Sequence, residues 1–432
     1  MATRRTPSNP PARSQSETHR AIETVFRIEQ ARLIAGLARW VRDVGRAEEL
    51  AQDALVAALS EWPGSGVPQN PGAWLMAIAK RRAVDGFRHE RMAERKHAEI
   101  GRDLESQHDS SVEDIETAMD DDLGDELLGL IFAACHPILS PEARAALTLR
   151  LIGGLTTDEI ARAFLSSEAT IAQRIVRAKK TLGESGLAFE VPRGPERERR
   201  LASVLEVVYL IFNEGYAATA GRDLTRPALC AEAQRLGRIL AGLMADEPEV
   251  LGLLALMEIQ ASRLAARTAP DGSPVLLTEQ NRALWDRLLI RRGLAALDRA
   301  GSLGGADGPY ALQAALAACH ARARTAVETD WRKIAGLYDR LRLVMPSPVV
   351  ELNRAVAHSM AFGPETGLAL LDEIERADSL RNYAPLPAAR GDFLFRAGRL
   401  AEARSQFKRA ADLTRNEGEK TFLLKRAASC VP

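Results

Sequence analysis

The sequence predicts an all-α protein, and three observations carry that expectation. Aromatic residues make up only 5% of the chain, while Ala, Leu, Arg and Glu, which favour helices over strands, dominate it. Clusters of Pro, Gly and Ser separate segments whose apolar residues recur at helical spacing. The length of 432 residues is two to three times the ~150 of a typical domain, so two or three helical cores are expected.

Residues 1–18 contain Arg4, Arg5 and Arg13 but no apolar run behind them, and read as a disordered leader rather than a secretion signal. No stretch approaches the ~18 apolar residues of a membrane span. The most apolar window, Val250 to Ile259, is short and contains Glu258. A cytoplasmic protein without membrane partners is the expectation.

Residues 19–97 should form a first domain of three helices, about His19 to Val41, Ala47 to Glu61 and Pro71 to Arg95. The run Pro63-Gly64-Ser65-Gly66-Val67-Pro68-Gln69-Asn70-Pro71 predicts a loop between the last two, with Pro71 placed to start a helix. Trp74 sits at helical spacing from Ile78 and is expected in the core. Fifty-eight Lys and Arg balance 58 Asp and Glu, so only the distribution of charge is informative. From Lys80 to His97 seven basic residues face three acidic ones. From Ala98 to Glu126 the sign inverts, with twelve acidic residues against Arg102 alone, and residues 98–124 read as a flexible acidic linker.

Residues 125–187 predict helices near Asp125 to His136, Pro141 to Ile152, Thr157 to Phe164 and Glu168 to Leu182. Thr156 and Thr157 with Asp158 and Glu159 supply a polar cap and acidic first turn. The junction Leu165-Ser166-Ser167 leads into a helix whose Ile171 and Ile175 would pack on Ile160, Ala161 and Phe164. Thr170, Gln173, Arg174, Arg177 and Lys180 would face outward. That is the layout of a helix-turn-helix whose second helix enters the major groove.

The remaining residues, 199–432, follow Pro192-Arg193-Gly194-Pro195 and read as helical throughout. Ala335, Ala369 and Ala403 recur 34 residues apart, and Trp331, Ile334, Ala335 and Tyr338 match the first helix of a tetratricopeptide (TPR) unit. Asn213-Glu214-Gly215 is a compact polar cluster best read as a helix end, with Gly215 as C-cap. The four cysteines stand singly. Cys135-His136 and Cys319-His320 point about 100° apart on a helix and cannot chelate alone. No nucleophile, paired histidine or phosphate loop has the context that chemistry requires, so no enzyme, cofactor or metal is expected.

The first half strongly resembles a bacterial RNA polymerase sigma factor of the extracytoplasmic-function type. Ala47-Glu48-Glu49-Leu50-Ala51-Gln52-Asp53-Ala54-Leu55 resembles the polymerase-binding part of region 2. The segment Trp74 to Asp85 resembles the helix that follows it, and Gly154 to Leu182 region 4.2. Cys135-His136-Pro137, Tyr209 to Tyr216, Leu251 to Met257 and Asp330 to Tyr338 are similar to the subgroup with a TPR-like C-terminal extension. The resemblance implies core RNA polymerase (its β′ clamp and β flap) and promoter DNA as partners, in a nucleoid-associated bacterial protein. Glu48, Glu49, Gln52 and Asp53 would face the clamp as surface residues. Lys80, Arg81, Arg82, Arg88 and Arg91 would bind the −10 element, and the loop from Gly64 to Gly72 would capture an extruded base. Ser167, Glu168, Thr170, Gln173, Arg174, Arg177 and Lys180 would read the −35 element. The acidic linker would thread the polymerase cleft, and the extension would regulate activity through a protein or peptide ligand. Arg81 stands where many members carry Asn, and Ala172 where many recognition helices carry Lys, so their promoter sequences do not transfer. On the residues alone a helix-turn-helix regulator with a TPR-type sensor, or a helical scaffold, stays open.

Overall fold

The computed structural model describes residues 15–98, 123–164, 166–217, 225–269, 274–376, 380–414 and 417–430. The acidic linker falls almost wholly outside them, as does Leu165 of the helix-turn-helix junction. The described residues are helical apart from loops and one isolated antiparallel bridge, Thr268 to Pro274. They fall into two compact units: residues 1–160 with 168–204, and residues 161–167 with 205–432.

The first unit begins with α1 (Gln15–Val41), α2 (Val44–Ser65) and α3 (Pro71–Ala98), which pack on one another. Asp43 starts α2 three residues before the expected position by accepting the Arg46 N–H at 2.8 Å. At its other end α2 runs through Pro63 to Ser65, where a loop was expected. A proline in a final turn removes one hydrogen bond, and the Gly66 N–H, at φ 82°, closes the helix on the Trp62 carbonyl. The loop is therefore only residues 66–70, and Gly72 is already helical. Trp62, rather than Trp74, is the fully buried indole at 1% exposure. Trp74 is half-buried and meets it edge-on, with ring centroids 5.2 Å apart.

The next helices are α4 (Leu123–Ala134), α5 (Pro141–Leu151), α6 (Thr157–Ala163) and α7 (Glu168–Glu184). Residues Leu127 to Cys135 are buried all round, as a central helix requires, and α1 packs against α4. A capping box starts α6: the Thr156 N–H donates to Glu159 at 2.8 Å and the Glu159 N–H to the Thr156 hydroxyl at 3.2 Å.

Helix α8 (Pro195–Tyr216) gives its residues up to Val204 to the first unit. There Arg200 donates to the Phe132 carbonyl at 2.8 Å, the Ser203 hydroxyl to the Cys135 carbonyl at 2.5 Å, and Arg144 to the Ser203 hydroxyl. Phe189 is also buried. The expected boundary between residues 187 and 199 thus falls before groups that complete the first unit. Truncation after Leu187 should leave buried polar atoms unpaired at about 1–3 kcal/mol each, and so melt well below truncation after Val204. Thermal unfolding followed by circular dichroism compares the two, and equal melting temperatures would contradict this packing.

The second unit continues with α9 (Pro227–Leu243), α10 (Pro248–Ala261), α11 (Arg287–Ser302) and α12 (Pro309–Arg322). It then adds α13 (Trp331–Val344), α14 (Pro348–Phe362), α15 (Pro364–Arg376), α16 (Pro385–Arg396), α17 (Leu400–Leu413) and α18 (Glu417–Ser429). From α12 onward each helix packs on the next, as in a stack of hairpins. Prolines open α9, α10, α12, α14 and α16, where a missing N–H costs nothing. Half-buried Glu249 supplies a further cap, accepting the N–H groups of Tyr310 at 3.0 Å and Ala311 at 3.3 Å. Burial raises its carboxyl above the usual range.

Three expectations for this unit need correction. Between α10 and α11 the described residues form loops and two short 3₁₀ turns, Leu264–Ala266 and Arg282–Leu284, rather than continuous helix. Gly215 is not a C-cap: it lies buried within α8, where a Cβ would meet the Cys230 backbone N at 2.7 Å, so close packing on α9 requires glycine. Of the three alanines 34 apart, Ala335 and Ala403 are buried but Ala369 is exposed, and Gly367 and Leu368 take the inward positions of α15.

Candidate nucleic-acid interface

Helix α7 buries Ile171, Ile175, Ala178 and Leu182, one stripe along its length. Its other side is largely polar, although Val176 is also exposed. Ser167, Glu168, Thr170, Gln173, Arg177 and Lys180 are exposed, and Arg174 is half-buried. Thr170, Gln173, Arg174 and Arg177 line one concave surface of about 350 Å³, closed opposite them by Ile138, Leu139, Ser140 and Ala143. The positions form a continuous wall because residues three and four apart share a helix face. Lys180 stands outside it, 3.6 Å from Glu184.

Glu142 supplies a negative charge at the rim. Hydrogen bonds from its own backbone N–H and from Ser140 hold its carboxyl below the usual range, with Arg174 and Arg144 contributing. Arg174 is therefore partly neutralised locally, whereas Arg177 forms no ion pair among the described residues.

The expected −10 surface lies on α3. Arg81 and Arg88 are exposed and Lys80 is half-buried. Arg82 reaches Asp53 on α2 at 3.5 Å, which joins two residues expected to serve different partners. The Arg91 side chain lies outside the described residues. Of the expected clamp-binding residues on α2, Glu49 and Gln52 are exposed and Asp53 half-buried.

Glu48 contradicts its expected surface position. It is 3% exposed, accepts from Arg150 at 2.7 Å, from the Lys179 ammonium, and from the Gln52 amide at 3.2 Å. One carboxylate thus ties α2 to α5 and α7. Nothing in the local pattern marked it, because Glu48 and Glu49 look alike in sequence and the partners lie about a hundred residues away. The Lys179-Lys180 pair did carry a faint signal: adjacent helical residues point about 100° apart, and only Lys180 follows the exposed face.

All four cysteines are free and buried. Cys135 meets the Thr148 hydroxyl at 3.3 Å, and burial pushes its thiol up to about 11. Among the described residues no group of three His, Cys, Asp or Glu side chains is placed to hold a metal, and no helix is long and apolar enough to cross a membrane.

Comparison with known proteins follows the same division. Residues 25–92 match the family Sigma-70 region 2, residues 130–182 match Sigma-70, region 4, and residues 200–301 match DUF6596, a family of unknown function. An uncharacterized protein of Rhizobium meliloti is 40% identical over 391 residues, which cover 90% of this chain and 91% of that protein. A probable ECF RNA polymerase sigma factor, SigI, of Mycobacterium tuberculosis is 29% identical over 182 residues, 41% of this chain and 60% of its own length.

Proposed function

Because the chain belongs to the sigma-70 family, as a non-enzymatic factor of the extracytoplasmic-function type with a C-terminal extension, we propose that it binds core RNA polymerase through α2. We further propose that it reads −10 DNA with α3 and −35 DNA with α7, under control of its helical extension. The observation that carries this reading is the α7 surface, where Thr170, Gln173, Arg174 and Arg177 line one concavity. Short polar and amide groups can read base edges while guanidinium groups hold phosphates.

The clamp-binding face is narrower than the sequence suggested, comprising Glu49, Gln52 and Asp53. Charged pairs at such a rim mainly set orientation and association rate. Reversing Glu49 and Asp53 to Lys should abolish co-purification with core polymerase while leaving helical content unchanged. Glu48 must be left intact in this test, because its reversal would act through folding. Normal recovery of polymerase by the folded double variant would refute the assignment.

Regulation by the extension is supported by the stacked helical hairpins of the second unit, an architecture whose surfaces bind ligands rather than perform chemistry. The second unit also includes residues 161–167, and within it Arg226 donates to the Ala163 carbonyl at 2.8 Å and pairs with Glu214. Transcription in vitro with core polymerase, on the promoter upstream of the chain's own operon, tests the whole reading. Full-length protein should direct initiation, and truncation after Val204 should markedly lower it. An inert full-length protein with active polymerase would overturn the reading.

A further inference from the structure

The second unit contains a cavity of about 460 Å³ between α8, α10, α12, α13 and α14. That volume is within the range of small-molecule sites. Tyr209, Tyr216, Tyr338 and Tyr383 contribute rings to its wall, over an aliphatic lining that includes Leu256 and Leu316. Asn213, Gln260, Gln313 and Asn353 contribute amides, which can both donate and accept. Among the described residues that line it, none carries an acidic or basic side chain.

Positive charge stands directly behind this neutral wall. The Arg267 guanidinium lies 3.8 Å from the Tyr216 ring centroid and that of Arg263 5.6 Å from it. Arg263 also donates to the Gln260 side chain. Neither arginine forms an ion pair with a carboxylate among the described residues. Burial, reinforced by the charges of Arg263 and Arg282, pushes nearby His320 down to about 4, as a locally positive field would. The hydroxyl of Tyr216, a residue 9% exposed, is buried beside the Arg263 guanidinium, with no acceptor for its own proton among the described residues. Buried polar groups are ordinarily satisfied, and buried cations ordinarily compensated.

We propose that this cavity is a binding site for a small organic anion with a flat apolar body. Its acidic group would accept from the Tyr216 hydroxyl, in the field of Arg263 and Arg267 behind that wall, and its body would lie among the tyrosine rings. The anion would supply the countercharge and hydrogen-bond acceptor that the wall lacks. The amides would accommodate polar substituents. A cation of the same shape would meet two guanidiniums and no countercharge.

Calorimetric titration of the full-length chain at neutral pH tests this with three probes of one shape: 2-naphthoate, 2-naphthamide and 2-naphthylmethylammonium. Naphthoate is expected to bind about tenfold or more tightly than the amide, and the ammonium compound not to bind. Arg263→Gln should remove the preference for the anion. Because Arg263 is partly buried and that variant could misfold, Tyr216→Phe provides a second test that keeps the ring and its packing. It should weaken naphthoate several-fold, and naphthamide less, because the neutral carbonyl accepts a weaker hydrogen bond than the carboxylate. Absence of naphthoate binding at millimolar concentration, equal affinity for the anion and the amide, or naphthoate binding unaffected by a folded Tyr216→Phe would each overturn the proposal. None of these outcomes depends on the chain's action at a promoter.

Discussion

Glu48→Gln should lower the stability of the first unit by about 2–3 kcal/mol, the largest loss expected from a one-atom change in side-chain chemistry. Removing one partner from a buried ion pair typically costs about 3–5 kcal/mol, because the remaining charge stays uncompensated. Here the stranded charges are Arg150 and Lys179, 22% and 24% exposed, so water can solvate them in part and the loss falls just below that range. Arg150→Met should cost less, since Lys179 would still neutralise the carboxylate. Urea unfolding reads the loss, with an unchanged slope showing that the same surface is exposed. Amide exchange in residues 44–65 localises it to α2, which matters because tryptophans occur in both units. A Glu48→Gln variant within 0.5 kcal/mol of the parent, about the usual scatter for surface substitutions, would show that Glu48 does not clamp these helices.

The second large effect is expected on DNA. Arg174→Ala and Arg177→Ala should each weaken promoter binding for every sequence, lowering the log-log salt slope by about 0.9 per lost phosphate contact. Arg177 should show the fuller effect, since the Glu142 carboxylate already offsets Arg174. Gln173→Ala should instead change preference at one base pair, with roughly 1–3 kcal/mol of discrimination lost there. Binding of labelled promoter duplexes across a salt series, with each base varied in turn, separates the two behaviours. If both arginine variants kept the parent's slope, α7 would not be the DNA-reading helix.

Much of this was legible in the amino-acid order. Ile171 and Ile175 mark the buried side of α7, which the structure extends to Ala178 and Leu182, and the outward positions include Gln173, Arg174 and Arg177 of the concavity. Pro71 and Pro141 mark helix starts, and Thr156 with Glu159 marks another, because caps act within three residues. Where the reading failed locally, the competing effect was small. Pro63 costs a final helical turn only one hydrogen bond, so α2 continues past it.

The sequence by itself determined the helical class, the order of the regions and the outward face of α7, since each depends on spacings within one or two helical turns. Tertiary structure alone decided that Glu48 is a buried clamp while Glu49 is surface, that Gly215 serves helix packing, and that residues 195–204 complete the first unit. It also brought together the tyrosines, amides and arginines of the second unit's cavity, which the sequence scatters from Tyr209 to Tyr383. The physical reason is common to all four. Burial of a charge, close approach of two backbones and closure of a cavity are set by partners distant in sequence, and no local periodicity records which partner will arrive.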